Sequence, residues 1–194
     1  MPLYYKEMPS PVGKLKLVAS ANALVAVLWE KEPPNRVKLD TAKLHPRHPI
    51  LLLTERQLGE YFAGARSQFE LPLELRGSEF QNKVWRALTE IPFGKTVSYS
   101  DLAKTIGSPK AARAVGAANG KNPLSIVIPC HRVIGTDGTL CGFAGGLETK
   151  AILLTLEARV RGASRRPGTE LDRSSPQPPR ISCLLYTSPS PRDS

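Results

Sequence analysis

The sequence predicts two unlike domains, an α/β unit over about residues 1–76 and a mainly α unit carrying a helix-turn-helix over about residues 77–162. Three observations lead there. Lys14-Leu15-Lys16-Leu17 alternates polar and apolar, as a half-buried strand must. From Ser78 the apolar spacing becomes helical, with Phe80, Val84 and Leu88 on one face. Two short helical segments then flank Gly107, the layout of a helix-turn-helix.

In chain order, Leu3-Tyr4-Tyr5, Lys14 to Ala19 and Leu24 to Trp29 are predicted strands, the first two joined by a Ser10-Pro11-Val12-Gly13 turn. Residues 31–48 are polar and proline-bearing and read as a connector. Ile50 to Phe62 has helical spacing and ends at Gly64. Phe69 to Leu73 reads as a short strand, confined to a sheet edge by Pro72. Ser78 and Gln81 form a capping box for the next helix, which Pro92-Phe93-Gly94 stops. Tyr99 to Ile106 is a short helix capped by Ser98 or Ser100, and Ser108-Pro109 is expected to open the one after Gly107. Ser125 to Ile128 reads as a strand after the Asn122-Pro123 turn, Asp137-Gly138 as a hairpin turn, and Leu147 to Val160 as a closing helix. Residues 163–194 change character to Arg, Ser and Pro without periodicity. They are expected to be disordered, with Ile181 to Ser190 a segment foreign to the domain.

The formal charge of +10 over 194 residues points to a polyanionic partner without naming it. Residues 158–194 hold seven arginines against three acids, which leaves +6 on residues 1–157. Cys130, Cys141 and Cys183 are too few and too widely spaced for a disulfide framework, so a cytoplasm, or a nucleus in a eukaryote, is expected. No apolar run approaches the roughly 20 residues of a membrane span, and no signal-peptide pattern opens the chain.

Pro129-Cys130-His131-Arg132-Val133 places a thiol beside an imidazole just after the apolar run, where a strand meeting a proline turns. The thiolate is the reacting form of cysteine, and a neighbouring base makes it available near neutral pH. A lone cysteine is more often an inert small hydrophobe. Ile128-Pro129-Cys130-His131-Arg132-Val133 does not stand alone, however. With Ser98-Tyr99, Ala112-Arg113-Ala114-Val115-Gly116, Asn122-Pro123, Gly145-Gly146-Leu147 and Glu157, it resembles the O6-alkylguanine-DNA alkyltransferases (methylated-DNA–protein-cysteine methyltransferases). The motifs run from about Phe80 to Glu157 in that family's order and spacing.

The resemblance implies a ribonuclease-H-like N-terminal domain and a winged-helix-like C-terminal one. It also implies irreversible transfer of an alkyl group from O6-alkylguanine, and from O4-alkylthymine, to Cys130. It assigns Glu157 to hold His131, and Tyr99 to donate to the departing base. Neighbours along a strand point to opposite sides, so His131 is expected to reach the Cys130 proton through a water. Asn122 is expected to brace the turn before Cys130. Val133, Phe143, Ala144 and Ser125 are expected around the base. For Glu157 the plain alternative is a solvated helix face, and for Tyr99 a packing tyrosine.

The slim stretch Ala111 to Ala118 suits either tight helix packing or a minor groove about 6 Å wide. By resemblance it enters the minor groove of double-stranded DNA, with Arg113 filling the gap left by a flipped nucleotide. Ala112 lies on that helix, and Lys104, Lys110, Lys121 and Arg132 are phosphate candidates. A monomer needing no cofactor is expected. No zinc is expected either, because the N-terminal half offers only His45 and His48 and no cysteine. Two rivals remain: a non-catalytic lesion-binding or regulatory helix-turn-helix protein, and a cysteine hydrolase with a Cys-His-Glu triad.

Overall fold

The computed structural model describes residues 1–164. Strands β1 (Leu3–Met8), β2 (Leu15–Ala19), β3 (Leu24–Trp29) and β4 (Ala42–Leu44) form one sheet in the order β3-β2-β1-β4. β1 and β2 run antiparallel, as do β2 and β3, while β4 lies parallel to β1. The alternation in β2 sends Leu15, Leu17 and Ala19 to one core, where Leu51, Leu58 and Tyr61 of helix α1 (Pro49–Phe62) cover them. Val18 faces the other side with Leu3, Val25 and Ala26, under Leu39 and Ala42.

The supposed connector 31–48 therefore does two structural jobs. It supplies β4 and it roofs the second face of the sheet. Its polar composition concealed a strand only three residues long, whose pairing comes from β1 and not from its own pattern.

A second difference concerns Phe69 to Leu73, which forms no strand. Only Leu73 bridges to Leu24, with the Leu24 amide donating to the Pro72 carbonyl and the Glu74 amide to the Leu24 carbonyl. Further along the same β3 edge, the Val27 amide donates to the Pro123 carbonyl at 2.9 Å. The edge of the N-terminal sheet thus holds the segment that leads into Cys130.

Helix α2 (Glu79–Thr89) starts on the expected capping box, with the Ser78 hydroxyl and Gln81 side chain each reaching the other's backbone amide. Trp85 of α2 donates its indole N–H to the Ala118 carbonyl at 2.8 Å. That bond ties α2 to helix α4 (Ala112–Gly120). Helix α3 (Tyr99–Thr105) is capped by Ser98, not Ser100, through the Asp101 amide. Gly107, at φ +74°, makes the turn between α3 and α4, a conformation that glycine adopts without steric cost.

Ser108-Pro109 does not open α4. Residues 108–111 form a turn, and α4 begins at Ala112 with no side-chain cap. The serine-proline pair is a turn signal as well as a cap signal, and here the turn prevails. Short strands β5 (Val97–Ser98) and β6 (Val133–Ile134) pair in parallel, and α5 (Leu147–Ser164) closes the domain. The expected hairpin turn holds, with the Gly138 amide donating to the Gly135 carbonyl and the Gly135 amide to that of Thr139. Residues 165–194, including Cys183 and nearly all of the expected disordered tail, lie outside the described residues. Among the described residues no helix is long and apolar enough to cross a membrane.

Candidate active site

The segment before Cys130 is a strained, pinned turn and not the expected strand. Ile126 sits at φ +71°, a left-handed conformation that a β-branched side chain adopts at a cost of about 1–3 kcal/mol. Bonds on both sides hold it there. The Val127 amide donates to the Ser125 carbonyl and the Ile128 amide to the Leu124 carbonyl. Asn122, fully buried, donates its side-chain N–H to the Ile128 carbonyl at 2.9 Å and accepts the Leu124 amide at 3.0 Å. Arg36 reaches across from the N-terminal domain to donate to the Asn122 carbonyl at 2.5 Å, with Glu32 paired to the same guanidinium.

Cys130 opens a single 3-10 turn, Cys130–Arg132, that leads into β6. The thiol and the next ring therefore differ in direction by a helical step, not by the strand alternation expected from the sequence. Among the described residues no hydrogen bond joins the two side chains, which agrees with the expectation although the reason differs. Cys130 is 4% exposed and His131 is wholly buried. Burial pushes the thiol pKa up, against the Asn122 side chain and the positive charges of Arg36 and Lys150, which pull it down.

His131 Nε2 lies 2.7 Å from Glu157 Oε1. Burial would raise the Glu157 pKa, but His131 and Arg132 outweigh it and hold the carboxyl at about 2. With Glu157 ionised, Nε2 must carry the shared hydrogen. Nδ1 is then the lone-pair nitrogen, and it has no partner among the described residues. Burial lowers the His131 pKa more than Glu157 raises it. The ring is accordingly neutral near pH 7 and able to accept a proton, chiefly because it is buried and also because Arg132 offsets the Glu157 charge.

Arg132 is the clearest correction to the sequence reading. Expected at a phosphate, it is 6% exposed and donates Nε to Glu157 Oε2 at 2.9 Å and Nη2 to Oε1 at 3.0 Å. Its Nη1 donates to the Ile91 carbonyl at 2.6 Å. A guanidinium is the side chain best suited to a buried two-point carboxylate pair, so its charge is spent inside the fold. Gly94 adds its amide to Oε2 at 3.0 Å, and Tyr61 of α1 adds its hydroxyl to Oε1 at 2.8 Å.

Around these groups, Tyr99 is buried at the start of α3, with its hydroxyl 3.4 Å from the Cys141 carbonyl. Desolvation and the two nearby cysteines push its pKa up, so it stays a neutral donor. Val133 lends its carbonyl to the Lys150 ammonium at 2.6 Å, and Lys150 also donates to the Cys141 carbonyl at 2.9 Å. Ser125 is buried, and its hydroxyl has no partner among the described residues. Phe143 packs edge-on against Trp29 of the N-terminal sheet, next to half-buried Ala144. Gly145 lies so close to the Trp29 indole that a Cβ there would stand 2.8 Å from a ring atom.

On the outer face of α4, Arg113, Ala114 and Ala117 are exposed, with Ala112 half-buried and Lys110 and Lys121 exposed at its two ends. Lys121 also reaches the Asn35 carbonyl at 3.4 Å, and Lys104 lies 3.7 Å from Asp101.

Sequence reasoning did not find Lys150, Tyr61, Arg36 or Asn119, whose side-chain N–H lies 3.4 Å from the Cys130 carbonyl. Lys150 had a signal. It shares the inward face of α5 with Leu153, Leu156 and Glu157, and a lysine on an apolar helical stripe must be satisfied inside. Tyr61 and Arg36 had none, because their partners are remote in sequence.

The fold and this geometry define a class: a small α/β domain joined to a helix-turn-helix domain that buries a cysteine beside a His-Glu-Arg cluster. Comparison with known proteins narrows it. Residues 3–75 match the family model described as 6-O-methylguanine DNA methyltransferase, ribonuclease-like domain, and residues 79–159 match the one described as its DNA binding domain. A methylated-DNA–protein-cysteine methyltransferase of Mycolicibacterium paratuberculosis is 60% identical over 162 residues, spanning 82% of this chain and 95% of that protein. A constitutive one of Bacillus subtilis is 44% identical, spanning 79% and 94%. A crystal structure of Mycobacterium tuberculosis OGT in complex with DNA superposes with a TM-score of 0.75 at 41% identity, covering 81% of this chain and 94% of that one. The chain belongs to the 6-O-methylguanine DNA methyltransferase family.

Proposed function

We propose that this protein repairs alkylated DNA by moving the alkyl group of O6-alkylguanine onto the sulfur of its own Cys130, once per molecule. The observation that carries the assignment to these residues is the His131 ring, neutral and buried, with Nε2 committed to Glu157 and Nδ1 without a partner among the described residues. In this reading Nδ1 takes the thiol proton through a bridging water, and the thiolate attacks the alkyl carbon. The new bond is carbon to sulfur. The bond that breaks joins that carbon to O6, and its electron pair leaves with the base, which gains a proton and is guanine again. Tyr99 supplies a neutral donor as charge builds on the base. The thioether has no leaving path, so the thiol is not regenerated. No cofactor takes part.

Asn122 fixes the strained turn that aims Cys130. Ser125, Val133, Phe143 and Ala144 form the walls around the base, and small Ser125 favours tolerance of larger alkyl groups. O4-alkylthymine is the second substrate. Double-stranded DNA is the partner, entered from the minor groove by α4. The exposed small side chains Ala114 and Ala117 support close approach, and Arg113 fills the space of the flipped nucleotide. Ala112 lines that approach, while Lys110 and Lys121 meet phosphates. The protein acts as a monomer in the cytoplasm (or in the nucleus of a eukaryote), with its two domains meeting near Gly77.

A lesion-binding protein without chemistry would not need a thiol, a neutral base and an oriented carboxylate in one buried cluster. Intact-mass measurement after incubation with an O6-methylguanine oligonucleotide decides. One methyl group, mapped to Cys130 and absent in Cys130→Ser, is the expected result. Unchanged mass with retained binding would establish the non-catalytic reading, and a hydrolysed acyl adduct the hydrolase.

A further inference from the structure

The catalytic cluster is completed by a residue from the other domain. Tyr61 lies in the last turn of α1, fully buried, with its ring set between Phe62, Phe69 and Phe93 at centroid distances of 5.4, 5.5 and 6.2 Å. Its hydroxyl donates to Glu157 Oε1 at 2.8 Å. That same oxygen receives His131 Nε2 at 2.7 Å and Arg132 Nη2 at 3.0 Å, while Oε2 receives Arg132 Nε and the Gly94 amide. Every donor but one comes from the C-terminal domain.

We propose that Tyr61 is a positioning residue for alkyl transfer, through which the N-terminal domain orients Glu157 and thereby His131. The proposal rests on the reading that His131 and Glu157 serve Cys130. Burial and the adjacent carboxylate push the Tyr61 pKa upward, so the phenol keeps its proton and acts only as a donor.

Tyr61 and His131 donate to one acceptor atom, so each bond weakens that oxygen as an acceptor for the other. A carboxylate with fewer donors is a stronger acceptor and holds the His131 hydrogen more tightly, which favours the charged imidazolium. The groups that bear on His131 are Glu157 and Lys150 of α5 and Arg132 of its own turn, and of these Tyr61 hydrogen-bonds only to Glu157. Removing the hydroxyl should therefore move the acid limb of the rate profile to higher pH. It also releases one of the bonds that fix the rotamer of Glu157.

Tyr61→Phe keeps the ring and deletes one oxygen. Transfer from an O6-methylguanine oligonucleotide to Cys130 is timed by intact mass in the full chain, across the pH range in which histidine titrates. His131 is titrated in parallel by NMR, where it has only His45 and His48 as companions. The expected outcome is unchanged DNA affinity, a rate at neutral pH lower by roughly fivefold, equivalent to one ordinary hydrogen bond, and both the acid limb and the His131 titration displaced upward. Phe69→Leu loosens the packing under the same ring while leaving the hydroxyl in place, and is expected to lower thermal stability without moving either titration. A Tyr61→Phe profile that overlays the wild type, or a uniform loss of rate with the limb unmoved, overturns the proposal. Wild-type protein that never alkylates Cys130 sinks the underlying reading instead, so the two failures are separable.

Discussion

Arg132 and Glu157 form a two-point ion pair at 2.9 and 3.0 Å inside the protein, and burial, aided by that pair, leaves His131 uncharged. A buried carboxylate facing a histidine alone would draw a proton onto the ring. With the guanidinium on the same carboxylate, the cluster is electrically balanced and the ring can be a base.

Glu157→Gln is therefore expected to damage both chemistry and stability. The amide still accepts from His131, but a buried Arg132 loses its counter-charge. Removing one partner of such a pair costs about 3–5 kcal/mol. Alkyl transfer should slow while affinity for methylated DNA stays nearly unchanged, because Glu157 is fully buried. Single-turnover rates and a binding titration on protein checked by circular dichroism measure this. Equal rates would remove Glu157 from the mechanism.

Stability should fall on the acid side in two steps. The folded-state pKa of His131 is lowered from its ordinary 6.5, so below that pH the unfolded chain binds a proton that the folded one refuses. Glu157 is lowered from 4.5 to about 2, so between those values the unfolded chain again binds more protons. Both contributions are present at neutral pH and are lost as pH falls, the Glu157 part on the order of 3 kcal/mol. Exposed Asp101 and Asp137 shift the same way but are screened by solvent. Denaturant midpoints should hold steady around neutrality, begin to drop near the ordinary histidine value and drop again below the ordinary glutamate value. Replacing His131 with Asn should erase the first step and shrink the second, because His131 helps to hold the Glu157 carboxyl down, and a flat acid limb in the wild type would contradict the burial argument.

What the sequence revealed and what it hid follow the range of the interactions. The capping box at Ser78-Gln81, the three long strands and α5 are set by neighbours within a few residues, and all were legible. β4 and the Leu73 bridge depend on partners in β1 and β3, and periodicity alone does not report them. The same division holds at the site. Asn122 braces Leu124 and Ile128, only two and six residues away, and its turn role could be read locally. Tyr61 meets Glu157 across 96 residues and Arg36 meets Asn122 across 86, distances over which no local pattern carries information. Arg132 misled for a related reason. A basic residue beside a reactive motif resembles a phosphate contact until the buried carboxylate appears.

That correction can be measured by salt dependence. Each phosphate contact contributes about 0.9 to the slope of log affinity against log salt on duplex DNA. Lys110→Ala and Lys121→Ala are each expected to flatten the slope by about that amount. Arg132→Lys should leave the slope unchanged, while lowering thermal stability and the transfer rate, because an ammonium cannot span both oxygens of Glu157. A flatter slope in Arg132→Lys would return that residue to the DNA surface.

Arg113 offers the sharpest separation of DNA handling from chemistry. It is exposed on α4, on the side opposite Val115 and Ala118, which pack inward, and it bonds to nothing in the catalytic cluster. Extruding a base costs a few kcal/mol of stacking and pairing, and an inserted side chain offsets part of that. Free O6-alkylguanine needs no extrusion. Arg113→Ala should therefore lower the rate on a methylated duplex by roughly ten- to a hundredfold, the kinetic equivalent of about 1.4–2.8 kcal/mol. The rate with the free base should stay close to that of the wild type. Placing the lesion opposite an abasic site, where less stacking is lost, should restore much of the deficit. Equal losses on duplex and free base would mean that Arg113 supports the fold or the pocket and does not replace the flipped nucleotide.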